Sequence, residues 1–296
     1  MALRSPLKPM SNSELLSTLE NISDIPTLPT VMAKIMKAAE NPESGSMDLT
    51  KILKNDPSLS AKILKISNSA YYAQVMPVTT IDRAVMVIGF KEISSIATSA
   101  VLIKAFPGDS RIPKFNLSDL WKHTLGCAYG SKIIAEKIGY SGVEDAFMAG
   151  LLHDIGKVII SQFMAKYFQI IYFYVTSQTM TMFDVEKEIL GETHCLVGEW
   201  LCKKWKLPEN IRQVIAKHHT PDMSDLVFSE ESIKLVNIIN LSNQIVKILP
   251  IGSSGDSPKL AKISQVVTKN LDLGADDLKQ IMAEISKTKS AIDNYF

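Results

Sequence analysis

Cysteine is scarce in this chain, as are long apolar runs, glycine, proline and any surplus of one charge, and each shortage excludes something. Three cysteines, Cys127, Cys195 and Cys202, form an odd set without a CxxC pair, which argues against a disulfide framework and leaves small reduced core residues. No apolar run approaches the roughly 20 residues of a membrane span, and the start, MALRSPLKPMSNSELL, lacks the apolar core of a secretion signal. The expectation is a cytoplasmic protein without a membrane partner. Lysine and arginine number 32 against 31 acidic residues, so no overall field draws the chain to nucleic acid or anionic lipid. With 14 glycines and 13 prolines in 296 residues, turn signals are sparse and no convincing strand pair stands out.

What is present is helical periodicity: apolar residues recur at three- and four-residue steps nearly throughout. With 46% of its residues hydrophobic the chain can fill a large core, and the expected fold class is all-α. Asp56-Pro57 reads as an N-cap followed by proline in the first turn, opening a helix with Leu59, Ile63, Leu64 and Ile66 on its apolar face. A Ser-Ala-Tyr-Tyr-Ala loop follows. Thr80 is placed to cap a helix carrying Ile81, Ala84, Val85 and Ile88, with Gly89 ending it in a left-handed conformation and a further helix resuming over 91–105. Phe106 to Asn116 reads as a boundary, and Pro250 to Pro258 as a linker that releases a helical tail. The expected organisation is an extension over 1–20, helical parts over 21–115 and 116–250, and linker plus tail over 251–296. Leu271, Leu273, Leu278, Ile281 and Ile285 suit that tail to covering the core, or else to binding another chain. The aromatics Tyr167, Phe168, Tyr172, Phe173 and Tyr174 and the methionines Met76, Met86, Met148 and Met164 are read as packing residues.

All five histidines, His123, His153, His194, His218 and His219, fall between the two breaks. Ser118 is placed to cap a helix with Leu120, Thr124, Cys127, Ile134 and Ile138 on one stripe, and His123, three residues after Leu120 and four before Cys127, faces inward. Glu144 to Ile160 reads as one segment carrying the adjacent His153-Asp154. Thr193 can cap a helix presenting His194, Val197, Leu201 and Trp205, and Leu207-Pro208 opens another with Ile211, Val214, Ile215 and His218. A buried imidazole is costly unless its ring nitrogens find partners. A lone histidine is more often a hydrogen-bonded core residue, but five beside an aspartate point to shared coordination of one or two divalent transition metal ions, Fe, Mn, Zn or Ni. Glu188 and Glu192, shortly before His194, are candidates to orient it, with exposed helix charge as the plain alternative.

His153-Asp154-Ile155-Gly156-Lys157 resembles the HDxGK signature of the HD superfamily of metal-dependent phosphohydrolases. The chain is more similar still to the HDOD branch, on Ile25-Pro-Thr-Leu-Pro29, Ile52 to Tyr72, Ile81 to Gly89, Leu120-Trp121-Lys122-His123, His194 to Gly198, Trp205-Lys206-Leu207-Pro208 and His218-His219. That resemblance, over about residues 20–250, implies a multi-helical HD-like fold with an N-terminal helical subdomain packed on an HD-type subdomain. It implies metal ligands at His123, His153, Asp154, His194, His218 and His219, with Asn243 standing where the family has an aspartate. The amide removes one negative charge and weakens the hold on hard ions. If the site hydrolyses, the resemblance makes Asp154 the bridge between cations, and Lys157 a residue steadying phosphate; the competing reading of Lys157 is an ordinary solvated lysine. The glutamate and Gly-Tyr-Pro element that follow the paired histidines of HD-GYP phosphodiesterases are absent from His218-His219-Thr220-Pro221-Asp222-Met223.

Three functions follow as expectations. The first is a bacterial signal-transduction adaptor, partnered by another signalling protein or a small nucleotide, since the missing aspartate and missing Gly-Tyr-Pro element both argue against phosphodiesterase chemistry. The second is a metal-dependent phosphohydrolase acting on a nucleotide or phosphoester. The third is a ligand or nucleic-acid sensor, for which the loose helix pair from Asp48 to Ser69, with Lys51, Lys54, Lys62 and Lys65 outward, offers too little concentrated charge. Nothing in the sequence sets the oligomeric state.

Overall fold

The computed structural model describes residues 8–40, 45–107, 112–177, 180–222 and 228–296. The start of the expected extension, the middle of the 106–116 boundary and Met223 lie outside them. Among the described residues there are helices and no strands, as the periodicity requires. In chain order the α-helices are α1 (Asn12–Glu20), α2 (Thr30–Glu40), α3 (Ser46–Lys54), α4 (Pro57–Ser67), α5 (Ile81–Ile88), α6 (Phe90–Ala105), α7 (Leu117–Lys137), α8 (Val143–Leu152), α9 (Ile155–Phe163), α10 (Ala165–Ser177), α11 (Met182–Leu190), α12 (His194–Lys204), α13 (Glu209–Lys217), α14 (Glu230–Ile248), α15 (Gln265–Asn270), α16 (Ala275–Lys287) and α17 (Lys289–Asp293). No single helix is long and apolar enough to cross a membrane.

Side-chain caps set several of these boundaries. Asp56 accepts from the Leu59 amide at 3.0 Å with Pro57 in the first turn, and Thr80 accepts from the Arg83 amide at 3.2 Å. Two expected caps differ. Asn116, not Ser118, caps α7, its carbonyl oxygen lying 2.8 Å from the Ser118 amide, because it precedes the first helical residue while Ser118 is already inside the helix. Gly89 has φ +99° and ψ 152°, outside the left-handed helical region, and serves as the single residue joining α5 to α6.

The chain forms two compact units, each discontinuous in sequence where contiguous parts were expected. One contains residues 26–107 and 284–296. Here α6 packs on α2 and α4, and α3 on α5, around Met32, Ile35, Leu53, Ile63, Ile93 and Ile96. Lys62 donates to the Tyr295 carbonyl at 2.5 Å, Lys54 pairs with Asp82 at 2.7 Å and Lys51 with Asp48 at 4.0 Å, so three of the four lysines read as outward are engaged within this unit. Met76 and Met86 do not pack inward as expected: they are 63% and 82% exposed, since Met76 lies in the loop before α5 and Met86 lies off the buried Ile81, Ala84 and Val85 face of that helix.

The other unit contains residues up to 25 and 108–283, with α7 against α8 and α14, α9 against α12, and α13 against α12 and α14. Leu15 and Leu19 of α1 are fully buried, and the Met10 amide donates to the Ile189 carbonyl at 3.0 Å, so the segment read as an extension is part of this core. Val267, Leu271 and Ile281 are buried too, as a core-covering tail requires. Of the aromatics, Phe168 and Tyr174 are buried while Phe173 is 63% exposed. The largest departure is the expected linker. Ile251, Ser254 and Asp256 are buried, and Gly252, at φ +65°, lies so close to α7 that a Cβ there would collide with the Asp119 carbonyl and the His123 amide. Glycine and serine occur in it because the backbone passes tightly against a helix, and composition alone does not distinguish that from a free tether.

The glycine of the His-Asp signature has a similar origin. A Cβ at Gly156 would overlap the His194 carbonyl and come within 2.9 Å of the Gly198 amide, so α9 and α12 cross backbone to backbone. Gly156→Ala is expected to lower unfolding free energy by about 3 kcal/mol in urea titration. Gly45→Ala, with nothing within 4 Å of the new methyl, should stay within about 0.5 kcal/mol of wild type.

Candidate metal centre

The segment expected to run unbroken from Glu144 to Ile160 is interrupted at His153-Asp154, between α8 and α9. Asp154 precedes α9 with φ −101° and ψ 12° and makes no side-chain cap to it. Its carboxylate is therefore free to reach into the space enclosed by α7, α8, α12 and α13, where it is fully buried.

Its two oxygens face different groups. Oδ2 lies 3.4 Å from His153 Nε2, 3.8 Å from His123 Nε2 and 2.9 Å from Lys157 Nζ. Oδ1 lies 3.3 Å from His194 Nε2 and 3.7 Å from His218 Nε2, with no hydrogen bond of good geometry. His219 Nε2 is 3.2 Å and His218 Nε2 3.4 Å from His194 Nε2. Four of the five histidines singled out by sequence, all buried, thus face one carboxylate, and the half-buried His219 joins the cluster through His194.

Backbone and side-chain acceptors orient the rings. His153 Nδ1 is 2.7 Å from the Gly150 carbonyl and His218 Nδ1 2.9 Å from the Ile215 carbonyl. A carbonyl can only accept, so each Nδ1 carries the proton and each Nε2 turns its lone pair inward, the tautomer a metal ligand needs. For His194 the acceptor is Glu186: one oxygen, Oε2, takes the ring Nδ1 at 2.5 Å and the His194 amide at 2.8 Å. Glu186 thereby caps α12 and sets the ring together, and Thr193, at the expected cap position, makes no side-chain bond. The orienting glutamate is Glu186, two residues before the expected Glu188; Glu192 instead accepts from Asn12 at 3.1 Å.

Burial and neighbouring charge divide the protonation states. Desolvation opposes the Asp154 carboxylate, but His153 and Lys157 outweigh it and hold the group well below the usual carboxylate range. Burial pushes His123, His153 and His219 down, so these rings stay neutral. Against the same burial, Glu186 carries His194 well above the ordinary imidazole range. Lys157 is not the solvated lysine of the plain reading: it is fully buried, and although desolvation disfavours its charge, Asp154, Asp256 and Glu186 keep it an ammonium, donating to Asp154 and at 3.1 Å to the Ser254 carbonyl.

Asn243 is 1% exposed on α14, and neither its amide nitrogen nor its carbonyl oxygen has a hydrogen-bond partner. It lies on one stripe with Asn240, which donates to the His218 carbonyl at 2.8 Å, and Lys247, whose ammonium is 2.7 Å from Asp256 Oδ2. Two cysteines also border the cluster: Cys127 Sγ is 3.5 Å from His123 Nε2, and Cys195 Sγ 3.8 Å from His218 Nδ1. Burial opposes ionisation of Cys195, but His218 and His194 bring its thiol down to about 6. Reading the cysteines only as core residues missed this placement, although the i,i+4 spacing of Cys127 from His123 and the adjacency of Cys195 to His194 were the available signals.

Unpartnered buried atoms at His153 Nε2, Asp154 Oδ1 and Asn243, with imidazole lone pairs turned inward, fit a divalent transition metal. His123, His153, Asp154, His194, His218 and His219 are the residues able to hold it. Such an ion supplies Lewis acidity and lowers the pKa of a bound water.

Residues 25–221 match the HDOD domain family. The chain belongs to the HDOD family. Asn243 lies beyond the matched HDOD residues. A crystal structure of an HDOD domain protein of unknown function from Geobacter sulfurreducens is similar with a TM-score of 0.80 and 26% identity, covering 95% of this chain and 97% of that one. A structure from Shewanella amazonensis SB2B, provisionally described as a phosphohydrolase, gives 0.72 at 23% identity over 95% of this chain and 96% of its own. One from Marinobacter aquaeolei VT8, provisionally described as a signal transduction protein, gives 0.76 at 21% identity over 94% and 63%. These last two share the fold. A Treponema pallidum protein of uncharacterised function is 25% identical over 255 residues, 82% of this chain; the HDOD chain spans 45% of that relative's length.

Asp256 anchors the segment that covers the HDOD cluster, accepting from the Met182 amide at 2.6 Å and from Lys247 at 2.7 Å. Asp256→Asn leaves a buried ammonium without its counter-ion and is expected to cost about 3–5 kcal/mol at pH 7. Desolvation raises the Asp256 pKa, but Lys247 and Lys157 outweigh it and hold the carboxyl below its usual range. Its contribution is therefore present above the unfolded carboxyl pKa, about 3.9, and is lost as pH falls through the lower folded value. The stability gap between wild type and variant in chemical denaturation should narrow as pH is taken from 6 towards 3; a gap that widens contradicts the assignment.

Proposed function

We propose that this HDOD protein is a bacterial signal-transduction adaptor whose histidine centre binds a divalent metal and does not hydrolyse phosphoesters. The observation that carries the reading is the enclosure of Asp154: the carboxylate is fully buried, and the one lysine of the signature is spent on it at 2.9 Å instead of facing a substrate phosphate. Four of the histidines around it are at most 1% exposed, which suits an ion and leaves no room for a phosphoester. Asn243 adds to this, since a neutral amide at the expected aspartate weakens the field that would ionise a bound water. Output through a protein partner is supported by the apolar surface that residues 26–107 expose: Met47 at 76%, Met86 at 82% and Val87 at 40%. Flexible methionines of this kind adapt to partner surfaces.

The test uses untagged protein purified without chelator. Elemental mass spectrometry is expected to find transition metal near stoichiometry with wild type and a large loss in Asp154→Ala. Phosphomonoester, phosphodiester and cyclic dinucleotide substrates, offered with added manganese or iron, should show no turnover that Asp154→Ala abolishes. Asn243→Asp is expected to retain metal more tightly against a chelator. Metal-dependent turnover by the wild type replaces the adaptor with the phosphohydrolase reading, and a protein that binds no metal leaves the histidines structural.

A further inference from the structure

The cluster is asymmetric about Asp154, and the asymmetry bears on how many ions it takes and of what kind. On the Oδ2 side the Lys157 ammonium already supplies a cation at 2.9 Å. A metal there must displace an ammonium that is fully buried and whose other acceptor is the Ser254 carbonyl, leaving that charge unpaired in a low dielectric. On the Oδ1 side there is no such group. Oδ1 has no hydrogen bond, and facing it are His194 and His218, with His219 3.2 Å from His194. A sulfur borders these rings: Cys195 Sγ is 3.8 Å from His218 Nδ1, and one donor atom from each of His194, Cys195, His218 and His219 falls within 4.8 Å of the others.

Among the described residues the buried aspartate, glutamate and lysine side chains are Asp154, Glu186, Asp256, Lys157 and Lys247, all around this cluster.

We propose that the centre holds a single soft transition metal ion, ligated by Cys195, His194, His218 and His219 on the Oδ1 side of Asp154. Coordination transfers the Cys195 thiol proton to solvent and forms a metal–sulfur bond, with no change in oxidation state. A thiolate with three imidazoles selects zinc-like ions over manganese or magnesium. The inference rests on the metal-binding reading above and adds to it the ligand set and the stoichiometry.

Cobalt(II) is the probe, because a cobalt–thiolate bond gives an intense near-ultraviolet charge-transfer band that imidazole and carboxylate ligands do not. Untagged apoprotein titrated with cobalt is expected to bind one equivalent and develop the band. Cys195→Ser should abolish the band and weaken zinc binding at least about tenfold in competition with a chromophoric chelator; Cys127→Ser should leave both unchanged. Stoichiometric cobalt without the band, or two equivalents per chain, overturns this inference while leaving metal binding intact. A band lost in Cys127→Ser and kept in Cys195→Ser overturns it in favour of the Oδ2 side. Failure to bind cobalt or zinc at all sinks the metal-binding reading itself. If Cys195→Ser does not fold, the wild-type spectrum and equivalence point decide alone.

Discussion

A carboxylate without water is the constraint on which the rest of this structure depends. Asp154 is held ionised at zero exposure, and an uncompensated charge in that position is among the costliest things a core can contain. The architecture around it supplies compensation from several directions: imidazoles from α7, α12 and the end of α13, and an ammonium one turn along α9. Each of these has its own support, through Glu186 for His194 and through backbone carbonyls for His153 and His218. The arrangement is a nested polar network, which stabilises when complete and becomes a liability when one member is removed.

The helices deliver these groups because their backbones come unusually close together. Gly156 lets α9 lie on α12, Gly150 lets α8 lie on α7, where a Cβ would come within 2.7 Å of the Cys127 carbonyl, and Gly252 lets the segment after α14 lie on α7. A single methyl at any of them would push a ligand-bearing element outward. Glycine in the His-Asp signature is thus a packing requirement of the site as much as a feature of its chemistry.

Charge also explains how the buried lysines are tolerated. Lys157 and Lys247 lie between Asp154 and Asp256, and the covering segment contributes both the Ser254 carbonyl and the Asp256 carboxylate that satisfy them. The cover is therefore tied down by the same charges that it hides from water. A cluster closed in this way differs from an open hydrolytic cleft, where one side of the metal must stay accessible to substrate.

Periodicity and capping residues made the all-α class legible from the sequence, along with the helix starts at Asp56 and Thr80, because those features depend on neighbours within a few residues. The ordered motifs made the family legible, and the inward faces of their helices marked His123, His194 and His218. What the sequence could not express was distance between elements far apart in the chain. Glu186, the cysteines beside the rings, the buried state of Lys157 and the pairing of Lys247 with Asp256 exist only once helices cross. The stretch from Pro250 to Pro258 shows the limit most clearly: its glycines and serines are equally suited to a free linker and to backbone pressed against α7. Only tertiary contact, which turns missing side chains into close approach, decided between them.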